Sequence, residues 1–207
     1  MSTRHSAFLF LLLSTTVGLS AGDWQTLFDG KSLNGWKSND EKPGCFSVED
    51  GAIKVSGGRA HLFYMGADGK ACFKDFEFRA KVKTTPGSNS GLFFHTEFQP
   101  SGWPSKGYEA QVNATHKDRR KTGSLYAVAD VLDQAPNTDG EWFDYEIRVE
   151  GKHITIRVNG KTCVDFTEPE LPADAPPRRL SQGTFAIQGH DPNSTVFFKD
   201  IQARTLP

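Results

Sequence analysis

The chain has 207 residues, 24 Lys and Arg against 25 Asp and Glu, and a formal net charge of −1. Charges of both signs are interspersed, which excludes the basic footprint of a nucleic-acid-binding protein. Cys45, Cys72 and Cys163 have no CxxC spacing, which excludes a zinc ribbon and leaves open one disulfide or buried free thiols.

The first predicted segment is a leader. Arg4 and His5 precede a short apolar run over residues 7–13, and Ala21 follows as a small residue suited to cleavage. This is the pattern of a secretory signal peptide, and the apolar run is too short to span a bilayer. We therefore expect residues 1–21 to be a signal peptide and the protein to be exported, periplasmic or extracellular, without a membrane span. Residues 22–207 are then expected to form a single domain.

Alternation of apolar and polar residues, the pattern of half-buried strands, recurs through the rest of the chain. A hairpin is predicted over residues 46–55 around Asp50-Gly51, a long strand over 73–82, and three strands over 142–166 that include the turn Asn159-Gly160. Further strands are predicted over residues 90–98, 109–113, 123–128, 183–190 and 196–203. About eleven or twelve short strands without an amphipathic helix predict an all-β fold of two stacked sheets.

Three of these strands carry an unusual polar face. Because side chains alternate along a strand, each of the following groups is predicted to share one face. The groups are His95 and Glu97, then Glu109, Gln111 and Asn113, then Gln188 and His190. Carboxylate, amide and imidazole groups suit proton transfer and hydrogen bonding to a hydroxyl-rich ligand, whereas a solvated face more usually carries Lys, Thr and Ser. The simplest arrangement places the three strands side by side along one groove.

Two aromatic residues are candidates for the same groove. Tyr126 would reach the polar face if residues 123–128 line that sheet. Trp103, on a loop with Pro100 and Pro104, either stacks on the apolar face of a sugar or packs the loop onto the core.

A set of short motifs in a fixed order resembles a known family. The motifs are LFDGKSLNGW (27–36), DFEF (75–78), NSGLF (89–93), GYEAQ (107–111), TGSLY (122–126), EWFDY (141–145), VNG (158–160) and IQGH (187–190). Together they resemble the 3-keto-disaccharide hydrolase domain family over nearly the whole chain after the leader. The resemblance implies a two-sheet jelly-roll sandwich of the concanavalin A-like lectin and glucanase type. It also implies hydrolysis of glycosides already oxidised at C3 of the sugar.

The resemblance also places two residues of interest. The acidic residue of the family's Gly-Tyr-Glu-x-Gln motif falls on Glu109, with Gln111 beside it. The family strand that begins Asn-Ser-Gly carries a basic residue after its apolar pair, and His95 stands at that place here.

A ketone at C3 acidifies the proton on C2, so a base can start elimination of the group on C1. This route needs a base, a donor to the enolate oxygen and an acid for the leaving oxygen. Glu109 is the candidate base, and His95 and His190 are the candidate donor and acid. The predicted substrate-binding residues are Gln111, Tyr126, Gln188, Glu97, Asn113 and Trp103. In the competing mechanism, Glu97 and Glu109 act as the two carboxyls of an ordinary glycosidase, about 5–9.5 Å apart.

Other interpretations stay open. His95, Glu97, Glu109 and His190 are acceptable ligands for a divalent metal ion, but no HxH or HExxH spacing supports one, so we assign no metal. The histidines could instead be structural groups at a strand edge. The protein could also be a non-catalytic carbohydrate-binding module, or an adhesion domain that uses the loops around Trp103 and Trp142.

Overall fold

The computed structural model describes residues 22–39, 41–172 and 174–207, so the predicted leader over residues 1–21 lies outside the described residues. The strands are β1 (Gln25–Thr26), β2 (Trp36–Ser38), β3 (Phe46–Glu49), β4 (Ala52–Ser56), β5 (Ala60–Tyr64), β6 (Phe76–Thr84), β7 (Asn89–Thr96), β8 (Tyr108–Asn113), β9 (Phe143–Glu150), β10 (His153–Val158), β11 (Lys161–Thr167), β12 (Thr184–Gly189) and β13 (Thr195–Thr205). Among the described residues, no helix has the length and apolarity needed to cross a membrane.

The strands form two antiparallel sheets. The larger sheet has the order β11-β10-β9-β6-β13-β4-β3, with β1 added to β13, and the smaller has the order β2-β5-β12-β7-β8. The all-β sandwich predicted from the sequence is confirmed. The three strands with polar faces, β12, β7 and β8, are neighbours in the smaller sheet, as predicted.

Two tight turns fix hairpin registers in the larger sheet. Asp50-Gly51 has φ angles of 50° and 75°, and Asn159-Gly160 has 50° and 74°. A two-residue hairpin turn with positive φ at both positions matches the twist of the flanking strands, and Asn or Asp followed by Gly tolerates it best. These turns join β3 to β4 and β10 to β11, as the sequence predicts.

The two sheets bury their faces differently. In β6 and β9 of the larger sheet, buried residues alternate with partly or fully exposed ones, so one face meets the core and the other meets solvent. In β7, β8 and β12 every residue is buried. The inner face of the smaller sheet supplies Leu92, Phe94 and Ile187 to the main core, while Phe93 and Ala186 belong to a separate apolar cluster. The outer face of the smaller sheet is therefore covered by loops, and it holds the candidate site.

Some local predictions are wrong. Residues 123–128 do not form a strand, because Ala127 has φ of 57° and the chain turns back so that Leu125 bridges Ala129. Strand β5 was missed, since its run of mixed aromatic and apolar residues has no period of two. Cys45, Cys72 and Cys163 are all unpaired, but only Cys45 is a buried thiol, since Cys72 is exposed and Cys163 is partly buried.

Candidate active site

A pocket of about 350 Å³ opens on the outer face of the smaller sheet. This volume lies in the range usual for small-molecule sites. The lining residues are Asn89, Phe93, Trp103, Pro104, Gly107, Glu109, Gln111, Tyr126, Arg178, Gln188 and His190. The strand period of two places most of the polar members, because Glu109 and Gln111 on β8 point to the same face as Asn89 on β7.

Glu109 lies on the floor of the pocket and is only 9 % exposed. Its Oε1 accepts a hydrogen bond of 2.8 Å from Nε2 of Gln188. The two residues stand on β8 and β12, with β7 between them. They can meet because β7 carries Gly91 at this point: a Cβ there would lie 2.3 Å from Glu109 Oε1. Gly91 therefore makes room for the carboxyl group.

The environment of Glu109 favours its protonated form. Burial raises the pKa of the Glu109 carboxyl to about 7, and Asp118 adds to this rise, although the Gln188 hydrogen bond and the charge of Arg178 oppose it. A carboxyl with a pKa near 7 is a better proton acceptor than an ordinary glutamate and is still half ionised at neutral pH. Glu109 is therefore suited to general acid–base chemistry.

Amide groups around Glu109 have unused hydrogen-bonding capacity. Gln188 Oε1, Gln111 Oε1 and Asn89 Oδ1 are buried and have no partner among the described residues. An unpaired buried acceptor costs roughly 1–3 kcal/mol, so such groups usually have a partner in use. Three carbonyl oxygens that line one pocket match the hydroxyl donors of a sugar.

The pocket walls come from loops. Tyr126 is held by its N–H, which donates to Glu109 O at 2.9 Å, and by its hydroxyl, which donates to Asp118 Oδ2 at 3.2 Å. Arg178 donates to the Tyr126 carbonyl and brings a cation to the wall. Trp103 is 45 % exposed, with its ring 5.6 Å from that of His190. An exposed indole beside polar groups offers a flat apolar surface for a ligand.

The prediction that His95 shares the face of Glu109 is wrong. On β7 three steps separate Phe93 from Thr96, but on β12 only two separate their partners Ala186 and Thr184. This extra residue is a β-bulge, and His95 has φ of 56° within it.

The bulge turns His95 toward the space between the two sheets. There His95 is 1 % exposed and its ring lies 5.5 Å from that of Phe76. Its Nε2 is 2.7 Å from the Lys74 carbonyl, and its Nδ1 accepts from Ser181 N–H at 3.1 Å. Both ring nitrogens are occupied by backbone, so His95 is a structural group and its predicted catalytic role is not retained.

Two further predicted residues do not line the pocket. Glu97 lies beyond the end of β7, is exposed, and pairs with Lys106 at 2.6 Å. Asn113 is buried and uses its Nδ2 to hold the backbone carbonyls of Asp118 and Arg120 at 3.0 and 2.8 Å. The pair Glu97 and Glu109 required by the two-carboxylate mechanism is therefore not assembled. His95, Glu97, Glu109 and His190, which the sequence left open as acceptable metal ligands, do not come together either.

His190 does line the pocket, as predicted, but its neighbours Asp191 and His116 were not predicted from the sequence. Its Nδ1 donates to Asp191 Oδ2 at 2.9 Å, and its ring lies 5.4 Å from that of His116. His116, His190 and Asp191 each place one potential ligand atom within 4.8 Å of the others. His116 lies in the loop after β8, whereas His190 and Asp191 lie in the loop after β12, and strand alternation does not predict that these two loops meet.

Sequence reasoning also missed Arg178, Asn89 and His61. Arg178 follows a proline-rich crossover and has no strand period to reveal it. Asn89 could have been found, because it stands two residues before Gly91 on the face of Glu109. His61, on the missed strand β5, is fully buried, with its ring 5.5 Å from that of Trp103.

Comparison with known proteins agrees with this architecture. The profile of a family described as "3-keto-alpha-glucoside-1,2-lyase-like domain" matches residues 23–204. A protein of Bacteroides thetaiotaomicron named 3-keto-disaccharide hydrolase is 28 % identical over 178 residues, which cover 74 % of this chain and 61 % of that protein. The match thus spans less than two thirds of the length of that relative.

Solved structures share the fold. The structure of a protein from Parabacteroides distasonis, provisionally described as a glycosyl hydrolase, has a TM-score of 0.74 at 23 % identity and covers 90 % of this chain and 94 % of that one. A Bacillus subtilis protein with a galectin-like fold has a TM-score of 0.61 at 11 % identity, with coverage of 91 % and 98 %. These likenesses support the predicted jelly-roll sandwich.

Proposed function

The chain belongs to the 3-keto-alpha-glucoside-1,2-lyase-like domain family, and we propose that it cleaves the glycosidic bond of sugars already oxidised at C3, such as 3-keto-disaccharides. The observation that carries the proposal is the placement of Glu109. A buried carboxyl with a pKa of about 7 lies on the floor of a pocket whose other polar groups are hydrogen-bonding amides. Such a group suits removal of a carbon-bound proton near neutral pH.

The reaction begins at C2. Glu109 takes the C2 proton, and the electrons of that C–H bond form the enolate of C2, C3 and the C3 oxygen. These electrons then form the C1–C2 double bond as the bond from C1 to the leaving oxygen breaks, and that oxygen takes up a proton. Water can then add, with its hydroxyl on C1 and its proton on C2, so that the net change is hydrolysis.

Other lining residues have matching roles. Arg178 and His190 are candidate donors to the enolate oxygen and the leaving oxygen, because an N–H group stabilises developing negative charge. His190 would have to turn the Nδ1–H that donates to Asp191 Oδ2 toward the ligand. Gln111, Gln188 and Asn89 offer carbonyl oxygens to sugar hydroxyls. Only one carboxyl lines the pocket among the described residues, which favours this route over a two-carboxylate mechanism.

A second candidate function is a carbohydrate-binding module with no turnover. The half-exposed Trp103 beside unpaired amide oxygens favours it, since aromatic stacking and amide hydrogen bonds are sufficient to hold a sugar. In that case Glu109 only accepts hydrogen bonds. An adhesion domain, in contrast, would ignore small sugars and bind a protein.

The test is turnover with two matched carboxyl variants. The purified protein without residues 1–21 is incubated with a 3-keto-disaccharide and with the same disaccharide unoxidised, and release of monosaccharide is measured. Only the oxidised sugar should be cleaved. Glu109→Gln should lose at least about a thousandfold in kcat while still binding, whereas Glu97→Gln should keep full activity, because Glu97 pairs with Lys106 away from the pocket. Sugar binding without turnover by the unmodified protein would favour the binding module.

We also propose that the protein is exported after removal of residues 1–21. The support is the sequence pattern alone, with its basic start and short apolar run. Mass spectrometry of the protein recovered from the periplasm or medium should find an N-terminus at Gly22. Recovery of the full chain with Met1 from the cytoplasm alone would contradict export.

A further inference from the structure

A compact group of metal-ligating side chains lies at the rim of the pocket. His116 comes from the loop after β8, and His190 and Asp191 come directly after β12. One ring nitrogen of each histidine and one carboxylate oxygen of Asp191 lie within 4.8 Å of one another. His190 also lines the pocket, so the group is adjacent to the candidate site.

The carboxylate of Asp191 is held in a fixed orientation. Its Oδ2 accepts from Ser194 Oγ–H at 2.7 Å and from His190 Nδ1–H at 2.9 Å. Its Oδ1 accepts from the N–H of Asn193 at 2.9 Å. His116 Nε2 lies 3.8 Å from the same Oδ2. One ring nitrogen of each histidine therefore lies within 4 Å of Asp191 Oδ2, so the three side chains point toward the same small region.

These distances fit a transition metal ion. Metal bonds of about 2.0–2.2 Å to nitrogen and oxygen place neighbouring ligand atoms roughly 3–4 Å apart. The pairs at 2.9 and 3.8 Å lie at or within this range, and binding of the ion would displace the proton that His190 Nδ1 donates to Asp191, which is released to solvent. The upper limit of 4.8 Å needs a shift of less than about 1 Å, which a small ring rotation supplies.

The surroundings of His116 offer a way to present Nε2 to a metal. Its Nδ1 is 3.3 Å from Asn89 Nδ2 and 3.2 Å from the N–H of Asp118, while Asn89 Oδ1 is buried without a partner among the described residues. Turning the Asn89 amide over would place that oxygen against Nδ1–H of His116. The exchange gives up the long Asp118 contact, satisfies the unpaired oxygen and frees the lone pair of Nε2. With the ion bound, Asn89 would therefore present an amide N–H to the pocket in place of its carbonyl oxygen.

From these observations we propose that His116, His190 and Asp191 bind one divalent transition metal ion. Two imidazoles with one carboxylate favour zinc, cobalt or nickel over calcium or magnesium, which prefer all-oxygen ligands. Three protein ligands leave coordination positions open beside the pocket. An ion there could accept an oxygen of a bound sugar and withdraw charge from it. The binding itself does not depend on the proposed function.

The experiment measures metal binding with no sugar present. Chelator-treated protein is titrated with Co²⁺ and Zn²⁺ by calorimetry, and the Co²⁺ absorption spectrum is recorded. One ion per chain should bind at micromolar or lower Kd, with visible bands typical of nitrogen and oxygen ligands. His116→Ala and Asp191→Ala should each weaken binding at least about 100-fold, because each removes a ligand.

A matched control comes from His153. It pairs with Asp165 at 2.7 Å on the larger sheet and belongs to no group of three ligands among the described residues. His153→Ala should bind Co²⁺ as the unmodified protein does. The proposal is overturned if the unmodified protein binds no ion at about 1 mM metal, or if a folded Asp191→Ala variant, checked by thermal unfolding, binds as tightly as the unmodified protein. It is equally overturned if His153→Ala alone abolishes binding.

Discussion

Replacement of Glu109 by Gln should change how protein stability depends on pH. Burial raises the pKa of Glu109 to about 7 from 4.5, the ordinary value that a glutamate has in an unfolded chain. Because the folded pKa is raised, this group contributes its full stability below pH of about 4, and the contribution is lost as pH rises through about 7. A difference of about two and a half pKa units corresponds to roughly 3 kcal/mol.

The Glu109→Gln variant would keep a side-chain oxygen that accepts the hydrogen bond from Gln188 Nε2, and its amide does not ionise. The variant and the unmodified protein should therefore have similar free energies of unfolding at about pH 4.5. At about pH 8.5 the variant should be more stable by up to about 3 kcal/mol, which is roughly 6–12 °C in Tm for a chain of this size. All other groups titrate in both proteins, so their effects cancel in the comparison.

The assay is urea unfolding followed by tryptophan fluorescence at pH steps between these limits. The difference in unfolding free energy between the variant and the unmodified protein should increase with pH between the unfolded and folded pKa values of Glu109. It should level off above about pH 7. A constant difference across the whole range would refute the reasoning, because it would mean that the carboxyl of Glu109 titrates alike in the folded and unfolded chain.

Further predictions concern activity and backbone. Turnover of a 3-keto-disaccharide should rise with pH to a plateau with a midpoint near 7, since Glu109 must be ionised to take a proton; a midpoint near 4 would contradict its role as base. Gly91→Ala should cost at least about 100-fold in kcat but only about 1–2 kcal/mol in unfolding free energy, because the new Cβ displaces the Glu109 carboxyl; unchanged kinetics would contradict the packing. Gly107→Ala should lose several kcal/mol or fail to fold, since φ is 73° and a Cβ would lie 1.9 Å from the Phe94 carbonyl oxygen; thermal unfolding with a native Tm would contradict this.

The sequence predicted what the strand period controls. Alternation along β8 placed Glu109 and Gln111 on one face, and turn residues such as Asn159-Gly160 located the hairpins, because both signals depend only on local backbone geometry. The prediction that β12, β7 and β8 are neighbours followed from the assumption that strands with polar faces line the same groove.

What the sequence could not supply depends on non-local geometry. The bulge at His95 changes the face of the sheet on which its side chain lies. Nothing in the sequence distinguishes a histidine with positive φ from one in a regular strand. His116 and Asp191 meet because loops from different strands converge at the pocket rim. Arg178 reaches the wall from a crossover segment without any period. In each case the contact is made by the folded loops rather than by the spacing of residues.

The central claim is that Glu109 starts the reaction by removing the proton from C2. The most direct measurement uses a 3-keto-disaccharide with deuterium at C2 of the keto sugar, cleaved in ordinary water, with products analysed by mass spectrometry. Proton abstraction predicts that the cleaved keto sugar has lost its deuterium, beyond the background exchange of the free 3-keto monosaccharide, deuterated at C2, when it is incubated under the same conditions. Retention of the deuterium through cleavage would contradict the account.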